Sequence, residues 1–182
     1  MEEEIDAAQE ERIRQNLIGR SLDHLEVFII NEKFFVFDVE KRWVVDAGIG
    51  LLFGDTKLIF GWDTAKELFL YSSESLKQML GDIEYFRLNE EEITGIRELI
   101  GGVVKDVSFK WSWYQECDEE GEVKSEKIFI PKDIHITFEN GRTLHLAAME
   151  FAISAIDQGI TRARYNSQAN LYIGVDHLLE II

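Results

Sequence analysis

The sequence predicts an α+β fold, with a largely antiparallel sheet or sheets built from hairpins and three to five helices packed on one face. Short strands of alternating apolar and polar residues, joined by turns, dominate the 182-residue chain. Segments with helical spacing are interspersed without a regular strand-helix-strand rhythm. No linker or low-complexity tract divides the chain. We therefore expect a single domain over residues 21–182, preceded by a helical arm over residues 1–20.

The arm is predicted from its charge and its spacing. Ile5, Ile13 and Leu17 are separated by multiples of four residues, which places them on one stripe of a helix. Gly19 follows as a stop signal. We expect the arm to dock on the domain through this stripe.

The next segments are predicted as strands. Residues 25–30, 34–39 and 43–45 are nearly continuous apolar runs, as expected for strands covered on both faces. A hairpin follows, in which three alternate apolar residues precede a turn near Asp55 and three follow it. To place all six on one face, we predict the pairs Phe53 with Leu58, Leu51 with Phe60, and Ile49 with Trp62.

A second hairpin is predicted around Asn140 and Gly141. A two-residue turn would send its two apolar sets to opposite faces, whereas a three-residue loop closed by Phe138 and Arg142 keeps them together. We therefore predict the three-residue loop with Gly141 in a left-handed conformation. This register places His135 directly opposite His145.

Three further helices are predicted from apolar spacing and caps. They cover residues 76–80, residues 89–100, where Asn89 and Glu92 form a capping box, and residues 149–156.

A long strand lies between the second and third of these helices. For this strand we predict Val107, Phe109, Trp111 and Trp113 in the core and Ser108, Lys110, Ser112 and Tyr114 nearer solvent. The chain returns over residues 123–130, and Pro131 is expected to end that strand or mark a sheet edge. A polar loop over residues 160–169 and a strand over 171–175 complete the chain.

The composition excludes several classes of function. There are 35 acidic and 19 basic residues, so the net charge is −16. Such a chain repels nucleic acid and anionic membrane and attracts basic partners. The single cysteine, Cys117, excludes an internal disulfide and a cysteine-based zinc site. The acidic start and the lack of a long apolar run predict a cytoplasmic protein.

The candidate sites are few, and none is catalytic. Five carboxylates crowd one predicted hairpin tip, where no helix dipole stabilises them, and we expect them to meet a basic partner: Glu116, Asp118, Glu119, Glu120 and Glu122. As an alternative, Arg162, Arg164 and Tyr165 lie in an acid-free segment that suits an anionic ligand. Acidic neighbours suppress the thiolate of Cys117, so it is a poor nucleophile. We expect no cofactor and no metal, because the pair His135 and His145, the one possibility, lacks a third ligand in sequence.

Size, charge and missing catalytic signatures make the leading hypothesis a binding protein that neutralises or regulates a basic partner. In this general character the chain resembles the small acidic antitoxins of bacterial immunity, although it shares no motif with them residue by residue. One alternative is a small-molecule-binding or enzymatic domain with an anion-binding loop around Arg162 and Arg164. Another is a structural subunit of a homo-oligomer, joined through an edge strand.

Overall fold

A computed structural model describes residues 2–30, 35–37, 42–65, 68–72, 76–89, 93, 95–153, 160–166 and 168–177. It is mostly antiparallel β-sheet, with 53% strand and 13% helix, arranged in two sheets. Two α-helices are present in the described residues, α1 (Glu2–Leu17) and α2 (Leu76–Leu80). The α+β class with three to five helices on a sheet is therefore wrong, because two of the four segments with helical spacing contribute instead to strands or to a single turn.

In the described part of the chain, twelve strands follow α1. They are β1 (His24–Ile29), β2 (Phe35–Phe37), β3 (Arg42–Val45), β4 (Gly48–Phe53), β5 (Thr56–Asp63), β6 (Leu68–Ser72), β7 (Phe86–Asn89), β8 (Val104–Tyr114), β9 (Ile128–Phe138), β10 (Thr143–Ile153), β11 (Ile160–Tyr165) and β12 (Asn170–Val175). The smaller sheet has the order β6-β5-β4-β1-β7. The larger has the order β2-β3-β12-β10-β9-β8, and β11 also pairs with β10.

The two sheets contribute to one buried apolar cluster. Ile49 and Leu51 of the smaller sheet belong to it together with Ile136 and Leu146 of the larger sheet. Phe28 and Ile59 lie on the opposite face of the smaller sheet, because they alternate with residues of the main cluster. There they form a second cluster with side chains of α2 and β9: Met79, Leu80 and Ile130.

The arm forms a helix, as predicted. Ile13 and Leu17 are buried in the main cluster, while the side chain of Ile5 lies outside the described residues. Gly19 has a φ of 79°, and its N–H donates to the carbonyl of Val104 at 2.8 Å. The arm lies on β8, where the indole of Trp111 donates to Glu10 at 3.1 Å. The short helix at 76–80 is also confirmed as α2.

Two predicted helices are wrong. Asn89 ends β7 and pairs with Glu26, and beyond it the described residues form only a 3-10 turn, Arg97–Leu99. Residues 90–92 and 94 lie outside the described residues. In the predicted helix at 149–156, residues 149–153 are the end of strand β10 and pair with β11. Residues 154–156 lie outside the described residues. Pairing with distant strands therefore overrides local spacing at both places.

The two hairpins differ in outcome. In the first, Leu51 pairs with Leu58, so the predicted register is wrong, because a tight two-residue turn begins at Gly54, whose φ is 60°. The shift is even, and the predicted apolar face therefore survives. In the second, the predicted three-residue loop is confirmed. The N–H of Phe138 donates to the carbonyl of Arg142 at 2.9 Å, and Gly141 has a φ of 82°.

Burial along the long strand follows the prediction only in part, because Phe109 and Trp111, both predicted in the core, are half-buried. Val107 is buried and Lys110 is exposed, but Trp113 is 54% exposed, contrary to prediction. Pro131 does not end its strand, since β9 continues through it. It lies beyond the part of β9 that pairs with β10, so among the described residues its strand partner here is β8 alone, in agreement with the predicted sheet edge. The register skips Lys132 opposite Lys110 and Trp111, and this bulge accommodates the missing proline N–H. The predicted polar loop at 160–169 is wrong as well, because residues 160–165 form β11.

Candidate functional site

A cluster of polar side chains lies where three strands of the larger sheet meet. Ala147 of β10 pairs with Asp133 of β9, but two residues further on Met149 pairs with Tyr165 of β11. On its other side Met149 pairs with Asn170 of β12. β9 and β11 therefore lie on the same side of β10, β9 alongside the first part of that strand and β11 alongside the second part. The end of β11 is thereby placed next to the point where β9 leaves β10.

Asp133 is the centre of this cluster. Its side chain is 2% exposed, and its Oδ1 lies 2.6 Å from Nε2 of His145 and 2.9 Å from Nε2 of His135. His145 is fully buried, whereas the side chain of His135 is 26% exposed. The two rings meet edge to face, with centroids 4.3 Å apart. Both imidazoles therefore present the same nitrogen to one carboxylate oxygen.

The second carboxylate oxygen has different partners. The hydroxyl of Tyr165 donates a short hydrogen bond to Oδ2 of Asp133. The ammonium of Lys110 lies 3.2 Å from the same oxygen, and this lysine side chain is 63% exposed. Lys132 contributes a second positive charge, 4.8 Å from the centroid of the Tyr165 ring. The cluster is therefore closed at His145 and reaches solvent on the side of Lys110.

The electrostatics of the cluster favour an ionised Asp133. Burial alone would raise the pKa of this carboxyl, but the polar contacts with His135, His145 and Tyr165 and the charge of His145 outweigh it and hold the pKa well below its usual range. Burial raises the pKa of Tyr165, and the hydrogen bond to Asp133 and the charge of Asp133 raise it further. At neutral pH the cluster thus contains a buried carboxylate and a neutral phenol that donates to it.

The structure brings a third potential ligand, Asp133, to the histidine pair. The potential ligand atoms of Asp133, His135 and His145 all lie within 4.8 Å of one another. The predicted pairing of His135 with His145 is confirmed. Asp133 was missed, although alternate residues of a strand share a face, so that Asp-x-His on β9 already places both side chains beside His145.

The predicted partner-binding carboxylates occupy the hairpin tip, which we define as residues 113–127, from the last two residues of β8 to the start of β9. Glu116, Glu119, Glu120 and Glu122 are exposed. Asp118 instead holds the turn: its carboxylate accepts the N–H of Glu122 at 2.8 Å and pairs with Lys124 at 2.7 Å. The hydrogen bonds from Lys124 and from the backbone of Glu122 lower its pKa. Asp118 therefore has a local structural role that the sequence did not reveal.

Exposed apolar side chains accompany these charges. Trp113 is 54% exposed and Val123 is 58% exposed. The ammonium of Lys127 lies over the indole of Trp113, 4.6 Å from the ring centroid. Cys117, also exposed, has no disulfide partner. The hairpin tip thus combines carboxylates with an aromatic and a branched apolar side chain.

Two of the predicted anion-binding residues, Arg164 and Tyr165, have different partners. Arg164 donates through Nε and Nη2 to one oxygen of Glu150, at 2.9 and 2.6 Å. Tyr165 turns instead to Asp133, as neighbours on a strand point to opposite faces. Arg162 pairs with Ala152 in β11, and its side chain lies outside the described residues. The guanidinium of Arg164 already has a carboxylate partner, so the geometry does not favour this alternative.

No helix within the described residues is long and apolar enough to cross a membrane. Comparisons of the chain with models of known families, with curated proteins and with solved structures found no match.

Proposed function

We propose that this protein binds a basic protein partner through its hairpin tip. The observation that carries the proposal is the exposure of Trp113 and Val123 on the same tip as four exposed carboxylates. Large aromatic side chains are frequent anchors in protein interfaces, and charged residues commonly form the rim around them. A tip of this composition suits a partner that offers an apolar pocket surrounded by lysine and arginine.

The charge of the whole chain supports the same kind of partner. A net charge of −16 attracts a basic protein over a distance of about 8 Å at physiological ionic strength and raises the rate of association. Carboxylates pair with lysine and arginine, so they can occupy a basic surface that would otherwise meet another acidic ligand. The protein would then neutralise or regulate its partner, and we place this action in a reducing cytoplasm, where Cys117 stays a thiol.

Hydrogen bonds hold the hairpin tip in a defined conformation. The N–H of Lys124 donates to the carbonyl of Glu116 at 2.8 Å, and the side chain of Gln115 donates to the carbonyl of Ser125 at 3.1 Å. The turn itself is closed by Gly121, whose N–H donates to the carbonyl of Asp118 at 3.0 Å. An ordered tip loses less conformational entropy on binding than a disordered one, which favours affinity.

The test compares three baits in capture from the native lysate. The tip variant Glu119→Gln/Glu120→Gln removes two exposed charges and leaves Asp118 in place. The control variant Glu84→Gln/Glu139→Gln removes two exposed charges elsewhere. We expect a basic protein on the wild type and the control, and several-fold less of it on the tip variant at low salt. Equal recovery from all three baits would contradict the proposal.

The captured partner then permits a kinetic test. Steering charges act mainly on association, so the tip variant should associate more slowly than the wild type, and the difference should shrink as salt rises. The dissociation rate should change little. An association rate that is unchanged at low salt would show that these carboxylates do not steer the partner.

A further inference from the structure

We propose that Asp133, His135 and His145 form a binding site for a divalent first-row transition metal ion. This site is separate from the hairpin tip and does not depend on the proposed partner binding. It rests on the convergence of the three side chains, on an unsatisfied nitrogen and on the partners of Asp133 beyond the three ligands.

The convergence is unusual for a purely hydrogen-bonded cluster. Both Nε2 atoms point at Oδ1 of Asp133, at 2.6 and 2.9 Å. Nε2 of His135 is enclosed and forms no well-aligned hydrogen bond in spite of this short distance. Buried polar atoms in folded proteins are almost always satisfied, so an unsatisfied one calls for a missing partner. A metal ion between the three side chains would take the lone pairs of both nitrogens and of Oδ1.

The spacing of the ligand atoms is close to that of a real site. Zinc bonds of 2.0–2.1 Å in a tetrahedral arrangement separate neighbouring ligand atoms by about 3.3 Å. Nε2 of His145 would have to withdraw from Oδ1 by about 0.7 Å, and Nε2 of His135 by about 0.4 Å. The partly exposed ring of His135 has the freedom to do so. His135 and His145 also lie directly opposite each other on paired strands, which fixes their backbones.

The remaining contacts of Asp133 and His145 match the surroundings of metal ligands. Ligating carboxylates are usually held by hydrogen bonds through the atom that does not bind the ion. Here Oδ2 is held by Tyr165 and Lys110, which leaves Oδ1 for the metal. The ring of His145 lies edge to face against Tyr172, with centroids 5.4 Å apart, and this contact fixes its orientation.

The ligand types select the ion. Imidazole suits zinc, copper, iron and nickel, whereas magnesium and calcium prefer oxygen ligands alone. Structural zinc sites usually have four protein ligands, while sites with three leave a position for water or a small ligand. In this cluster the three protein ligands would leave such a position open. The ligands carry one negative charge, and the acidic chain as a whole favours a cation.

The test uses the full chain without an affinity tag, stripped of metal with a chelator. Zinc is titrated in competition with a chromophoric chelator, and the ring nitrogens of the histidines are followed by NMR. We expect one zinc per chain and a shift of the Nε2 signals of His135 and His145. The variant His135→Gln should bind zinc at least tenfold more weakly, and Asp133→Asn should do the same.

The matched control is His24→Gln, because His24 also lies near a carboxylate, 3.4 Å from Glu26, but within the described residues it belongs to no group of three potential metal ligands. Its zinc affinity should equal that of the wild type. If Asp133→Asn fails to fold, His135→Gln still decides, since it alters a partly exposed side chain. Failure of the wild type to bind one zinc per chain, or equal affinity in the wild type and His135→Gln, would overturn the proposal. Loss of partner binding in the tip variant with zinc affinity unchanged would keep the two proposals distinct.

Discussion

His135 and His145 lie opposite each other on neighbouring antiparallel strands, and both present Nε2 to the same oxygen of Asp133. This arrangement places a carboxylate and two imidazoles on the face of the larger sheet that points away from Ile134, Ile136 and the main core. Removing one partner from a buried polar cluster of this kind destabilises the fold, because the remaining groups lose hydrogen bonds that water cannot replace.

Asp133→Asn should destabilise the metal-free protein. The amide keeps the shape of the side chain but lacks the negative charge of the carboxylate, whose oxygens accept hydrogen bonds from His145 and Tyr165. Charge-assisted hydrogen bonds of this kind contribute roughly 1.5 to 3 kcal/mol each, and we expect a loss of about 3 kcal/mol in the free energy of unfolding, measured in urea. The control Asp106→Asn removes a half-exposed carboxylate that pairs with Arg14 and should cost less than about 1 kcal/mol. Equal losses of unfolding free energy in the two variants would show that the contacts of Asp133 stabilise the protein no more than an exposed ion pair does.

The same variant should also alter the response to acid. The pKa of Asp133 is lower in the folded protein than its unfolded value of about 3.9. Its stabilising contribution is therefore fully present above that value and is lost as the pH falls below it toward the folded pKa. The difference in unfolding free energy between wild type and Asp133→Asn should stay constant from pH 7 to about 5 and shrink below about pH 4. A difference that persists unchanged at the lowest measurable pH would contradict this linkage.

Tyr165→Phe should separate the hydrogen bond of the hydroxyl from the packing of the ring. The substitution leaves Oδ2 of Asp133 without its phenol donor, and we expect a loss of about 1 to 2 kcal/mol in denaturation of the metal-free protein. Lys110→Met removes the other partner of that oxygen, but this lysine is largely exposed and its loss should cost less than about 1 kcal/mol. A larger loss of unfolding free energy in Lys110→Met than in Tyr165→Phe would show that the lysine, and not the tyrosine, is the main stabilising partner of Asp133.

Trp113 and Trp43 should behave differently on truncation. Trp43 is buried in the main cluster, and Trp43→Ala should cost about 3 to 5 kcal/mol through lost burial and a cavity. Trp113 is half exposed, so Trp113→Ala should change the unfolding free energy by about 0.5 kcal/mol or little more. It should nevertheless weaken capture of the basic partner, since this side chain is the proposed anchor. A stable variant that captures as much partner as the wild type would remove Trp113 from the interface.

Local chemistry in the sequence determined a part of this structure. Gly141 accepts the left-handed conformation that a three-residue loop requires, and from this loop the pairing of His135 with His145 follows. The apolar stripe of the arm likewise predicted which of its residues are buried, as Ile13 and Leu17 show. These features depend on contacts within a few residues, which sequence patterns report directly.

Tertiary structure decided the rest. The spacing at 149–156 suggested a helix, but pairing with β11 makes Met149 part of a strand and brings Tyr165 to Asp133 across 32 residues of sequence. A bulge at Lys132 lets β9 continue through Pro131, and Trp113 remains exposed farther along the same hairpin. Local periodicity predicts which residues share a face of a strand. Which other strand pairs beside them depends on long-range pairing and burial, which the local pattern does not contain. For this reason the sequence predicted the histidine pair and contained the signal for Asp133, whereas only the fold brought Tyr165 and Lys110 to that carboxylate.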